Sequence, residues 1–578
     1  MSRSRSRTYA FLAALLLSAS APQALGQTAA PRAALLDYAS IQHPVHADRA
    51  MVVSQNAIAS QVGADILRRG GNAVDAAVAT GFALAVTLPR AGNLGGDGYM
   101  LVHIAAANET VALDYRSIAP QAAHVGLYAT AQGGDPRDLR SGYRASGVPG
   151  TVAGLEAAHR RWGRLPWAEV VAPARRLAQE GVILSRDEAQ GLAWSRASWE
   201  PYEAGRRAFL KADGSAYAAG ERFIQSDLGW TLEQIETHGA AAFYTGEVAE
   251  RIVASMEKNR GLITRDDLAA YRPVFRAPVE TDYRGHRVVT TPPSSAGGVM
   301  LLEMLNIVET FDLRSAGAGT AASLHLLAEA MKLAQLDRVR WVGDPDFSEV
   351  PTRRLASQAF ADQRARLIRP DRVLPASDLH PLDPRMTEGE NTTHFSVVDG
   401  DGNVVSNTYT LGASYGSGAV IDGGGFLLND QMKNFNRRMG PDGRPLRANG
   451  LEPGKRMIST MAPTIVFRDG RPWLATGTPG GATIPNSLLQ IIVNLVDHDM
   501  NIAQATHAPR IHQDGADGRL QVEAGFNGDT ATLLEQRGHK VRRRATIGSA
   551  QSIVIRPEGG LEGAADSRRP DAAAVAAD

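Results

Sequence analysis

Asn391-Thr392-Thr393-His394-Phe395-Ser396-Val397-Val398-Asp399 is the stretch whose reading decides the fold. Before it, residues 371–391 carry Pro375, Pro381, Pro384 and Gly389 among many charges, the composition of an exposed loop. After it, residues 394–398 and 404–411 read as strands joined by the turn Asp399-Gly400-Asp401-Gly402, which predicts a hairpin. The Asn391-Thr392 bond therefore lies where loop becomes strand. A threonine there has a chemical use: its hydroxyl is a competent nucleophile when its own α-amine acts as base, and an internal threonine gains that amine only if the chain is cut before it. An α-amine titrates at about 7.7–8.0, close enough to neutrality to relay the hydroxyl proton. Thr-Thr at a strand start is also what β-propensity alone produces, so the rest of the chain has to carry the reading.

Working outward, residues 57–69 and 73–86 show apolar positions at helical spacing, broken by Gly70-Gly71-Asn72. Residues 99–103 and 111–115 read as a second hairpin, and 151–260 as a helical layer including 155–161 and 168–179. A short strand at 288–291 precedes helices at 299–309 and 321–337. Strands are expected at 419–421, 426–428, 464–467, 473–476 and 551–555, with helices at 484–496 and 530–538. Helices, strands and helices in this order predict an α+β fold with a sheet-on-sheet core covered by helices.

Composition narrows the chemistry. Lys plus Arg equals Asp plus Glu at 61 each, so no global field recruits nucleic acid or an acidic membrane, and a small molecule is the expected partner. The absence of cysteine excludes thiol nucleophiles and a disulfide framework. His43 with His46, and Asp497-His498-Asp499 with His507 and His512, lack metal-ligand spacing, so neither metal nor cofactor is expected. Arg3, Arg5 and Arg7 precede an apolar run at 10–17, and Ala24-Leu25-Gly26 supplies small residues before Gln27: the pattern of a cleaved secretory signal over 1–26, implying a periplasmic or secreted protein.

The wider pattern resembles one family. Thr392 to Asp399, Thr408-Tyr409-Thr410-Leu411, Asn429-Asp430-Gln431-Met432 and Pro479-Gly480-Gly481 are similar to the motifs of the γ-glutamyltranspeptidases, N-terminal nucleophile hydrolases. So are Ala59-Ser60-Gln61-Val62-Gly63, Gly70-Gly71-Asn72-Ala73-Val74-Asp75-Ala76-Ala77 and Asn93-Leu94-Gly95-Gly96. The resemblance implies a four-layer αββα sandwich, cut between Asn391 and Thr392 into a large subunit, 27–391, and a small subunit, 392–578, which stay intertwined. It implies Thr392 as nucleophile for both the cut and turnover, with Thr410 supporting its hydroxyl. It places an oxyanion hole at the Gly480 and Gly481 N–H groups, and a substrate α-carboxylate on Arg116, Ser459 and Thr460. The substrate class implied is a γ-glutamyl amide such as glutathione, with water or an amine as acceptor.

Departures from the family pattern cluster at the α-ammonium pocket. Gly412, Gln431 and Asn434 stand where Asn, Gln or Glu, and Asp are usual. A charge-assisted hydrogen bond contributes about 1.5–3 kcal/mol, so the amide of Asn434 in place of a carboxylate weakens the grip on an ammonium. That favours, as an alternative, a glutaryl- or cephalosporin-acylase-like amidase with relaxed need for the α-amino group. Asp97 replaces a usual glycine and reads as a turn residue. Residues 435–457 hold no tyrosine or tryptophan for an aromatic lid.

Two readings compete. Gly412-Ala413-Ser414-Tyr415-Gly416 matches a serine-hydrolase nucleophile elbow, which needs a helix directly after it, and the glycine-rich 417–425 is poor helix. A periplasmic solute-binding protein suits export and Arg116, but gives no reason for Thr392-Thr393 after a loop.

Overall fold

Period-two alternation sorts the strand Asn391–Val398 between two environments. Phe395 and Val397 join a core shared with helices, while Val398 joins a separate core made almost wholly of strand residues. His394 and Ser396 point the same way as Val398, Ser396 Oγ donating to the Gln551 carbonyl at 2.9 Å. One face of the strand thus meets helices and the other meets a second sheet.

The computed structural model describes residues 41–130, 133–375, 391–438, 447–515 and 518–578. The expected signal over 1–26, most of the loop before Asn391 and part of 435–457 lie outside the described residues. Two antiparallel seven-stranded sheets form the centre. The first runs, in spatial order, Ala573–Ala576, Met51–Ser54, Asn391–Val398, Val404–Gly412, Asp97–Ile104, Glu109–Tyr115 and Val274–Arg276. The second runs Val45–Ala47, Leu561–Ala565, Gln551–Ile555, Arg471–Thr476, Thr464–Arg468, His286–Thr290 and Val279–Tyr283. Met51, Val53, Leu101, Val404, Ile465, Ala475 and Ile553 pack between them.

Helices cover both outer faces. Ala73–Thr87 is buried along its whole length, which explains its apolar composition all round. Asn72 and Asp75 close its start as a capping box, with Asp399 accepting from the Ala73 N–H at 2.8 Å. On the other side Gly297–Glu309, Ala321–Trp341 and Thr483–Val496 pack on Val288, Val466 and Leu474. The result is the expected αββα sandwich.

Two differences from the expected elements bear on the Thr392 hairpin and the segment that follows it. Asn391 already belongs to the strand, ahead of the expected start. The strands expected at 419–421 and 426–428 reduce to isolated bridges, Val420 to Leu427 antiparallel and Gly95 to Leu428 parallel, because this glycine-rich segment turns repeatedly, with Gly416, Gly418, Gly423 and Gly425 all at positive φ.

Candidate active site

The hairpin that carries Thr392 is irregular at the position that matters. Asn391 lies opposite Gly412 and Thr392 opposite Thr410, so Leu411 is an extra residue on the partner strand. The bulge turns the Thr410 hydroxyl into a hub. It accepts from Thr392 Oγ1 at 3.2 Å and from the Gly412 N–H at 2.8 Å, and donates to the Asn391 carbonyl at 2.9 Å. One donor and two acceptor sites are all a hydroxyl has. The Asn391 side chain is held in turn, its Oδ1 accepting from Arg569 Nη2 at 3.2 Å.

His394, two residues on, is no proton relay at neutral pH. Its ring bonds Thr408 Oγ1 at 2.8 Å and Ser396 Oγ at 3.0 Å, and burial pulls its pKa down to about 3. It is a neutral spacer between the sheets, with the Gly477 backbone packed so close that a Cβ there would lie 2.2 Å from the ring.

Arg116 follows the strand Glu109–Tyr115 and is 1% exposed. Its Nε donates to the Met457 carbonyl at 3.0 Å, and its Nη2 to the Ile458 carbonyl and Gln431 Oε1, both at 2.9 Å. Its Nη1 meets Asp97 Oδ1 at 2.5 Å. Gln431 Oε1 also accepts from Asn434 Nδ2 at 2.7 Å. Asp97 is therefore not the turn residue expected: it opens the strand Asp97–Ile104, lies opposite Thr410 in register, and is fully buried against Arg116 and the Ser117 hydroxyl. Burial pushes its carboxyl up, opposed by the Arg116 charge and the Ser117 hydrogen bonds.

Gly412 has a local reason to be glycine. Its φ is +98°, and a Cβ would stand 2.0 Å from Asp430 Oδ1. Asp430 fills the space a longer residue at 412 would occupy, accepting from the Ala413 N–H at 2.9 Å and pairing with buried Lys433. Sequence reading passed over this ion pair, although the i, i+3 spacing of Asp430 and Lys433 was available as a signal.

Gly480 and Gly481 sit just before the helix Thr483–Val496, Gly480 at φ +134°. Among the described residues neither N–H donates a hydrogen bond, and both point of attachment and helix dipole favour developing negative charge there. Thr460 Oγ1 donates to the Gly481 carbonyl at 2.7 Å, and Ser459 Oγ accepts from the Met461 N–H at 3.1 Å. Since Arg116 bonds the carbonyls of Met457 and Ile458, one short segment, 457–460, ties the arginine to the glycine turn.

Elsewhere, Ser414 is followed by turns rather than helix, so the nucleophile elbow lacks its structural context. His325, Glu329 and His539 converge in the core with ligand-like spacing. Their atoms already have partners: His325 Nδ1 bonds His539 Nε2 at 2.7 Å, and Glu329 accepts from Lys332 and the Leu374 N–H.

A threonine at the head of an inner strand in an αββα sandwich defines the N-terminal nucleophile hydrolase architecture. The model of the γ-glutamyltranspeptidase family matches residues 59–576. A glutathione hydrolase proenzyme of Escherichia coli (strain K12) is 43% identical, covering 96% of this chain and 97% of that protein. The acylase ACY 1 proenzyme of Pseudomonas sp. (strain SE83) is 38% identical over 93% of this chain and 94% of its own length. Among solved structures, a cephalosporin acylase from Bacillus halodurans superposes with a TM-score of 0.82 at 30% identity, covering 95% of this chain and 99% of that one. The chain belongs to the γ-glutamyltranspeptidase family. It is an enzyme of hydrolase and transferase type, which sets aside the solute-binding reading, and among the described residues no helix is long and apolar enough to cross a membrane.

Proposed function

We propose that the chain is an exported precursor, losing 1–26 as a signal and cutting itself between Asn391 and Thr392 into subunits 27–391 and 392–578. The Thr410 hub supports this reading. Its hydroxyl donates to the Asn391 carbonyl while accepting from Thr392 Oγ1, so the carbonyl to be attacked and the attacking oxygen share one partner. Attack by Thr392 Oγ on the Asn391 carbonyl carbon breaks the peptide C–N bond and leaves an ester, which water hydrolyses. The freed Thr392 amine is then the base.

In turnover the same oxygen attacks the acyl carbon of a γ-glutamyl amide such as glutathione. The amine takes the hydroxyl proton and passes it to the leaving nitrogen, and the N–H groups of Gly480 and Gly481 receive the oxyanion. Water or an acceptor amine then resolves the Thr392 ester. Arg116, Gln431, Asn434, Ser459 and Thr460 border the acyl group, and the signal pattern at 1–26 supports a periplasmic or secreted enzyme.

A denaturing gel tests the reading. Purified protein should show fragments of about 365 and about 187 residues, and Thr392→Ala should remain one inactive chain. Active protein that runs as a single uncut band overturns it.

A further inference from the structure

Arg116 has little left to offer a ligand. All but one of its guanidinium N–H groups are taken by Asp97, Gln431 and the carbonyls of Met457 and Ile458. The fork that grips a carboxylate needs two parallel N–H groups on one side, and the remaining hydrogen, on Nη1, stands alone. The ion pair is completely enclosed, with both side chains at most 1% exposed.

The Arg116 charge also sets the direction of the neighbouring amides. Gln431 must turn Oε1 toward the guanidinium, and Asn434 then turns Nδ2 toward that same oxygen. This leaves Gln431 Nε2 as a donor and Asn434 Oδ1 as an acceptor, both buried and without a hydrogen-bond partner among the described residues. Unpaired buried polar atoms are costly and uncommon, and two of opposite sense on adjacent side chains describe the complement of a ligand. That ligand offers one acceptor and one donor.

We infer that Asp97 is a specificity-determining residue: by occupying Arg116 it leaves an acyl site that reads its donor through the neutral hydrogen-bonding pair Gln431 Nε2 and Asn434 Oδ1, so the donor range extends to acyl amides ending in a carboxamide. The inference rests on the Thr392 acyl-transfer reading above. A carboxamide gives its C=O to Gln431 and its N–H to Asn434. The α-amino acid end of a γ-glutamyl group fits the same pattern through its carboxylate and ammonium. A glutaryl end has acceptors only, and sets an anion beside the Asn434 oxygen with no free arginine fork to hold it.

The test compares three p-nitroanilides of matched chain length: γ-glutamyl, glutaryl and 4-carbamoylbutanoyl. In the unaltered enzyme kcat/KM for the carbamoyl donor should exceed that for the glutaryl donor by about tenfold or more, the size expected when a buried polar group is left unpaired. Asp97→Asn, and Asp97→Gly as a second variant, release Arg116 and should shift the ratio toward glutaryl by about tenfold, through KM rather than kcat. Autocleavage on a gel reports that each variant has folded. If neither variant matures, the ratio in the unaltered enzyme decides alone. A glutaryl donor preferred by the unaltered enzyme, or a ratio unmoved in a variant that matures, overturns the inference while leaving Thr392 chemistry intact. Inertness toward all three anilides, or turnover surviving in Thr392→Ala, removes the Thr392 reading and the inference with it.

Discussion

Thr392 and Thr410 face each other across paired strands with 3.2 Å between their hydroxyl oxygens, and the Thr410 hydroxyl goes on to donate to the Asn391 carbonyl. A single side chain thus touches both the Thr392 hydroxyl and the Asn391 carbonyl, the two groups that the proposed self-cleavage brings together.

Removing that hydroxyl should slow maturation. Thr410→Ala is expected to cut at a rate about 10²–10³ below the unaltered chain, the loss typical of one oxyanion donor. Thr410→Ser should recover most of it. A gel time course of the precursor measures both, and an alanine variant that matures at the normal rate contradicts the assignment.

Position 412 should resist change. Gly412→Ala puts a Cβ at φ +98° against Asp430, and the left-handed strain alone costs about 1–3 kcal/mol. The expected result is a lower Tm and slower maturation. An alanine variant as stable as the parent removes this explanation for the glycine.

Acid should destabilise the folded protein earlier than its carboxylates alone predict. Burial holds His394 and His539 down to about 3, with His325 adding to the effect on His539. An unfolded histidine titrates near 6.5, so between about 6.5 and 3 the unfolded chain binds protons that the folded chain does not, and stability falls as pH falls, by about 1.4 kcal/mol per pH unit for each such group. Urea midpoints at pH 7 and pH 5 measure the slope. His394→Asn should flatten it; an unchanged slope in that variant excludes His394 as a source.

Much of this was legible in the chain because it is local. The alternation of Phe395 and Val397 with His394 and Ser396 announces a strand between unlike faces, and the glycine at 70 marks the break between the first two helices. The site's chemistry at Thr392 came through motif resemblance, since no spacing rule connects Thr392 to Gly480. What stayed hidden depends on register. Asp97 meets Arg116 only because Asp97 lies opposite Thr410 and one step beyond the Gly98 to Tyr115 pair; from sequence alone it is a turn-forming residue in a glycine run. Arg569 reaches Asn391 from 178 positions away, through a fold that brings the chain's end beside its middle. The bulge that places Asn391 in the strand adds one residue to one side of a ladder, and alternation on a single strand carries no trace of it.

The central claim is that this chain makes its own nucleophile at Thr392, and N-terminal sequencing of the smaller fragment tests it most directly. The expected sequence begins Thr-Thr-His-Phe-Ser-Val. A different first residue, or full activity in a protein with no new N-terminus, contradicts the account.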